Sequence, residues 1–239
     1  MEYKFTPNDN FEDFASGRVL YHMGGEPTFP VRLTLELYER CLSYLNKKTN
    51  ITLYDCCCGG AYMLTVLGFL KGNSISELYG SDIDTKRLKL AGDNLGLLSK
   101  EGIQKRRDEL TSLYKEFGKT SHREALLSLD ILEKLITKEI KTSVFQRDIF
   151  ESYHALFQPD LILTDVPYGN LAEWADGEQE INQMMKVLTE ICGRETILCV
   201  CMDKKQKIQT DLFQRLEKHM IGRRKFEIYR KKSTNMLRI

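Results

Sequence analysis

The chain has 239 residues, 42% of them hydrophobic and 29% charged, which suits one large domain with a soluble core and excludes disordered, collagen-like and fibrous classes. Its 35 basic and 34 acidic residues leave a net charge of +1, so the total points to neither a nucleic-acid nor a membrane partner. The basic charge is unevenly placed, with 12 basic against 3 acidic residues between positions 204 and 239.

Residues 1–30 are rich in turn formers (Gly24, Gly25, Pro27, Pro30) and read as an irregular arm. From Val31 to Tyr44 apolar side chains recur at helical spacing, which predicts an amphipathic helix. Ile51 to Tyr54 reads as a strand that stops at Asp55, followed by the glycines Gly59 and Gly60 and a helix from Tyr62 to Leu70. The same order repeats, with a strand from Ser76 to Gly80, then Ser81-Asp82, and a helix opened by Asp84-Thr85 that runs to about Leu97. Residues 98–141 interrupt this alternation as two charged amphipathic helices joined near Gly118 to Ser121. Strands return at Ser143 to Gln146, Leu161 to Leu163 and Thr196 to Cys201, with a helix from Gln179 to Cys192 before the last. A helix from Gln209 to Met220 and a strand from Lys225 to Tyr229 close the pattern. Strands alternating with helices imply a layered α/β fold with a mostly parallel sheet, here one domain over 1–239 with a helical insertion at 98–141 and a basic segment at 204–239.

No run approaches 18 uncharged apolar residues, and the polar, acidic start lacks a secretory pattern, so a cytoplasmic protein without a membrane partner is expected. The seven cysteines, three of them adjacent at Cys56, Cys57 and Cys58, suit reduced thiols and lack the paired spacing of a zinc site, so no metal is expected. His22, His122, His154 and His219 fall into no nucleophile or metal constellation.

In an open parallel sheet the ligand lies beyond the carboxyl ends of the strands, which directs attention to four strings. Asp55-Cys-Cys-Cys-Gly59-Gly60-Ala61 offers a close backbone approach and a sharp turn into a helix, although alone it fits a packing turn equally well. Asp82 ends the next strand, 27 positions on, where an acid would meet ribose hydroxyls; the full dinucleotide fingerprint and a Walker lysine are both absent. Arg147-Asp148-Ile149 ends the third. Thr164-Asp165-Val166-Pro167-Tyr168-Gly169 ends the fourth, where a carboxylate and a carbonyl accept N–H bonds from a planar amide-like ring and a tyrosine stacks on its face.

In this order the four strings resemble class I S-adenosylmethionine-dependent methyltransferases that act on a nucleobase nitrogen. More closely, the chain is similar to the avilamycin-resistance 23S rRNA methyltransferase (AviRa) family, through FEDFASGRVL, FPVRL, LYDCCCGGAYMLTVLG, GSDID, the LLS and EFGK stretches and LTDVPYG with Trp174 after it, over roughly Phe11 to Gly222. The resemblance implies a Rossmann-like, seven-stranded sheet with helices on both faces, S-adenosyl-L-methionine as cofactor, and a guanosine of 23S rRNA or of the large ribosomal subunit as substrate, with no obligate protein partner. It assigns Asp55, Cys56, Cys57, Cys58, Gly59, Gly60 and Ala61 to the methionine end of the cofactor, Asp82 and Ile83 to the ribose side, and Asp148 and Ile149 to the adenine. Asp165, Pro167 and Tyr168 would hold the target base. Cys56 and Ala61 stand where relatives commonly have Pro and Gly, and Ala61 fits if the backbone there needs no positive φ.

A buried base must be flipped or single-stranded to reach such a pocket, and the RNA backbone then needs a grip. Arg223, Arg224 and Lys225 are the leading candidates, followed by Arg230 to Lys232, Lys204, Lys205, Lys207 and Lys105 to Arg107; Trp174 suits either base stacking or packing at the sheet edge. Methylation of ring nitrogen or exocyclic amine, action on tRNA guanine or DNA adenine, and a non-catalytic ribosome-binding role are the alternatives the residues leave open.

Overall fold

The protein, described here from a computed structural model, is described over residues 1–24, 28–166 and 178–232. Pro30 brings the arm in extended and cannot itself continue a helix backwards, so α1 (Val31–Tyr44) begins immediately after it. Among its described residues the arm before it is irregular apart from one 3-10 turn at Glu12–Phe14. β1 (Ile51–Asp55) leads through the glycine loop into α2 (Tyr62–Lys71), and β2 (Ile75–Asp82) leads into α3 (Thr85–Gly96), whose N-terminus is capped by the Asp84 carboxylate accepting the Lys86 N–H at 2.8 Å. The insertion forms α4 (Lys100–Phe117) and α5 (Thr120–Leu135), joined at Gly118 as the charge pattern predicts. β3 (Lys141–Gln146), β4 (Leu161–Asp165), α6 (Glu178–Ile191), β5 (Ile197–Asp203), β6 (Phe213–Ile221) and β7 (Arg224–Lys231) complete the order.

The seven strands form one sheet in the order β3-β2-β1-β4-β5-β7-β6. Strands β1 to β5 are mutually parallel, while β7 runs antiparallel to both β5 and β6. Side chains alternate between the two faces, as the pleat requires. Leu53, Leu161, Leu163, Ile197 and Cys199 pack on the face covered by α1 to α5. Tyr54, Ile162, Leu198, Val200 and Met202 pack on the other, under Ile181, Met184, Met185 and Leu188 of α6. No helix connects β3 to β4. An aromatic cluster covers that part of the sheet instead, with Phe157 stacked on Tyr79 at 3.7 Å and 2° between planes, and Phe145 stacked on Tyr153.

One predicted element is corrected. Residues 213–221 form the edge strand β6, not the last two-thirds of a helix over Gln209 to Met220. Leu212, Leu216 and Met220 do recur at helical spacing, but the strand pairs with β7 along one side only and exposes Gln214, Arg215 and Lys218 to water. An edge strand needs no alternating apolar pattern, and charge on it discourages pairing with other chains. Among the described residues no helix is long and apolar enough to cross a membrane, and all seven cysteines are free thiols.

The insertion holds the arm in place. Ser128 of α5 donates to Asp13 at 2.6 Å, Arg106 of α4 donates to the Val19 carbonyl at 2.9 Å, and the Tyr21 hydroxyl donates to Glu109 at 2.8 Å. The start of the arm is tied elsewhere: the buried Glu36 carboxylate accepts the N–H groups of Lys4, Phe5 and Thr6, and pairs with Arg40 at 2.7 Å.

Candidate active site

The order of the strands reverses at β1, with β2 on one side and β4 on the other, so the switch point lies beyond Asp55 and Asp165. There the cofactor loop predicted from the sequence, residues 55–61, is fixed at four of its amides. The Cys57 N–H donates to the Asp55 carboxylate at 3.1 Å, Cys58 to the Ser81 carbonyl at 2.9 Å, Gly59 to the Asp82 carboxylate at 2.9 Å, and Ala61 to the Cys58 carbonyl at 2.7 Å. Asp82 accepts the Asp84 N–H through its other oxygen at 3.0 Å, which leaves each oxygen a lone pair for a ligand. Gly59 and Ala61 both lie in the left-handed region, at φ +52° and +55°. The condition on which Ala61 was to fit, a backbone without positive φ, is therefore not met; a side chain in that conformation costs about 1–2 kcal/mol, and the hydrogen bonds around the loop offset it.

A Cβ built on Gly59 would meet nothing within 4 Å, so the loop leaves open room on its outer side. Ile83, just past Asp82, is 63% exposed beside that room. Asp148 sits beyond the end of β3, half-buried, with its carboxylate accepting the Phe150 N–H at 2.9 Å. Ile149 is buried in the apolar cluster on the α6 face.

A hydrogen-bond chain braces this loop from below. Arg147, only 8% exposed, donates to the Tyr54 hydroxyl at 3.0 Å; Tyr54 and Ser81 share a 2.7 Å bond; and Ser81 donates to the Cys56 carbonyl at 3.3 Å. An arginine only donates, so it sets the direction of the whole chain towards Cys56.

Asp165 ends β4 opposite Cys201 of β5. One of its oxygens, Oδ1, is buried without a hydrogen-bond partner among the described residues, and Oδ2 lies 3.9 Å from the Arg224 guanidinium. Burial pushes its carboxyl up to about 6 against the pull of Arg224. Burial likewise pushes Asp55 up to about 7, with the Asp165 and Asp82 carboxylates adding to the shift. The site thus holds two carboxyls that change charge near neutral pH. Its thiols are different: burial pushes Cys58 up, and the hydrogen bond with Cys56 pushes Cys57 up, so neither supplies a thiolate.

Pro167, Tyr168 and Trp174 lie outside the described residues. Of the basic candidates, Arg223 is exposed in the β6–β7 turn, and its carbonyl accepts the Lys204 N–H, which brings the turns at 204 and 223 together at the sheet's carboxyl edge. Arg224 leans over the Phe29 ring at 5.2 Å beside Asp165. Lys225 is corrected: it is 2% exposed and paired with buried Glu227 at 3.3 Å, so it is unavailable to a phosphate. Two residues that contact the loop or the arm went unread in the sequence. Asn94 and Tyr21 join the Gly60 carbonyl to the arm, and the one signal for Asn94 was a polar amide on the apolar stripe of α3, between Ala91 and Leu95.

The family model described as rRNA methyltransferase AviRa matches residues 1–224. A 23S rRNA (guanine(2535)-N(1))-methyltransferase of Streptomyces viridochromogenes is 35% identical over 223 residues, 89% of this chain and 88% of that protein. The solved rRNA methyltransferase AviRa of the same organism superposes with a TM-score of 0.86 at 31% identity, covering 94% of each chain. A ribosomal protein L11 methylase from Lactobacillus delbrueckii subsp. bulgaricus shares the fold alone, with a TM-score of 0.51 at 11% identity over 86% of this chain and 81% of that one.

Proposed function

The chain belongs to the rRNA methyltransferase AviRa family, with the class I methyltransferase fold, and on that premise we propose that it transfers a methyl group from S-adenosylmethionine to N1 of a guanosine in 23S rRNA. The observation that carries this reading is the placement of Asp165, with one buried oxygen lacking a partner among the described residues, directly across the switch point from a glycine loop with open space on its outer side. The same geometry fits the cofactor. Residues 55–61 would hold its methionine end, Asp82 would accept the ribose hydroxyls with its spare lone pairs, and Asp148 would take the adenine amino group, with the exposed face of Ile83 beside the ring.

S-adenosylmethionine supplies, when bound, a methyl group on a sulfonium whose sulfur leaves as a neutral thioether. The protein's share is alignment and the handling of one proton. As N1 of guanine gains the methyl it must lose its hydrogen, and the Asp165 carboxylate accepts that proton. A carboxyl pushed up to about 6 is a better base than an ordinary aspartate yet still ionised at pH 7.5. Alignment in the closed site is worth up to about 7–11 kcal/mol of the barrier. Arg223 and Arg224, with the adjoining turn at Lys204 and Lys205, would grip the RNA backbone beside the flipped base.

The test is Asp165→Asn. Methyl transfer to 23S rRNA at saturating cofactor should fall by about 10²–10⁴-fold, while calorimetric affinity for S-adenosylmethionine stays within about threefold of the parent. Full transfer by this variant would remove Asp165 from the chemistry.

A further inference from the structure

We propose that Asn94 is a positioning residue for the cofactor: its amide clamps the strained Gly59–Ala61 turn to the N-terminal arm, so that docking of the arm sets the affinity for S-adenosylmethionine. This rests on the reading of residues 55–61 as the cofactor loop. Asn94 lies on the inner side of α3 and is 1% exposed. Its Nδ2 donates to the Gly60 carbonyl at 2.8 Å and to the Tyr21 carbonyl at 3.0 Å, and its Oδ1 accepts the Tyr21 N–H at 2.8 Å. Two carbonyls only accept and one N–H only donates, so the partners leave the amide a single orientation.

The loop needs such a clamp. Ala61 at φ +55° holds a conformation that a side chain disfavours by about 5- to 30-fold in population, and Gly59 on the other side of Gly60 is also at positive φ. Asn94 fixes the carbonyl of Gly60, the residue between these two. Gly60 is also pressed against α3, where a Cβ would come within 2.6 Å of the Leu90 side chain. The other end of the clamp is equally firm. Tyr21 gives both its backbone groups to Asn94, its ring lies under the Arg106 guanidinium at 4.3 Å, and its hydroxyl is held by Glu109. One side-chain amide is thus the shared partner of a strained loop and of an arm anchored on α4.

If strain at Ala61 is what Asn94 restrains, removing the strain should make the clamp dispensable. Binding of S-adenosylmethionine is measured by calorimetry for the parent, Asn94→Ala, Ala61→Gly, the double variant, and Asp82→Ala as a reference. Asn94→Ala is expected to weaken binding about 10- to 30-fold, with kcat at saturating cofactor within about threefold. Ala61→Gly alone sets the baseline of the cycle, and adding it to Asn94→Ala should restore at least about fivefold of the lost affinity. Unchanged affinity in Asn94→Ala, or an equal loss with and without Ala61→Gly, overturns the clamp while Asp82→Ala still loses binding. A parent that binds no S-adenosylmethionine overturns the cofactor reading itself and the clamp with it. Should Asn94→Ala fail to fold, hydrogen exchange on the parent decides: the Tyr21 amide should exchange at least about tenfold more slowly with S-adenosylmethionine bound, and an unchanged rate overturns the proposal.

Discussion

At the scale of single residues, the two shifted carboxylates make the account quantitative. Asp165 must be ionised to accept a proton, so kcat/KM for RNA should climb as pH rises to about 6 and level off above it; in a pH–rate series a flat profile between pH 5 and 7 would remove it as the base. Asp55 bears on stability instead. Its folded-state value of about 7 lies above the value of about 4 in an unfolded chain, so the folded form holds its proton more tightly. Its favourable contribution is complete below pH 4 and is lost as pH rises towards 7. Asp55→Asn should therefore be more stable than the parent at pH 8 by on the order of 3 kcal/mol in urea unfolding, with the gain vanishing near pH 4, and should bind S-adenosylmethionine poorly.

At the scale of elements, legibility followed how much of an element's environment its own residues dictate. α1, the paired α4 and α5, and the strand ends at Asp55 and Asp165 were visible because buried faces impose periodicity and glycine or acid punctuation marks the turns. β6 was not visible, because an edge strand with charged sides obeys neither strand alternation nor burial. The same hairpin hid the fate of Lys225. Consecutive residues on a strand point to opposite sides, so in the run Arg223-Arg224-Lys225 the sequence offers one basic patch where the sheet makes three environments: open turn, site edge and buried pair. Two variants separate them. Arg223→Ala should lower RNA affinity and reduce the slope of log K against log salt by about 0.7–0.9, as expected for one lost phosphate contact. Lys225→Ala should leave that slope unchanged and cost about 1–3 kcal/mol in urea unfolding, because Glu227 loses a buried partner. The strain at Ala61 and its clamp were illegible for a further reason: they depend on Asn94 and Tyr21, which are 33 and 40 positions away and meet the loop only in the folded chain.

At the scale of the whole molecule, the carboxyl edge of one sheet gathers the residues of the proposed site. The glycine loop and Asp82 stand on one side of the switch point, and Asp165 stands on the other with Arg224 and the turns at 204 and 223 next to it. The insertion is remote from this edge along the chain, yet it holds the arm that meets Asn94, the partner of Gly60, at Tyr21 and comes beside Arg224 at Phe29. Asp82, Asp165 and Arg224 all stand on strands of this one sheet, the placement that alignment-driven catalysis requires. The most direct measurement is to incubate the protein with 23S rRNA and isotopically labelled S-adenosylmethionine, digest the RNA, and identify the labelled nucleoside by mass spectrometry. The account predicts 1-methylguanosine, formed by the parent and absent with Asp165→Asn. Label on the exocyclic amine of guanosine, on another base, or on tRNA in preference to 23S rRNA would contradict it.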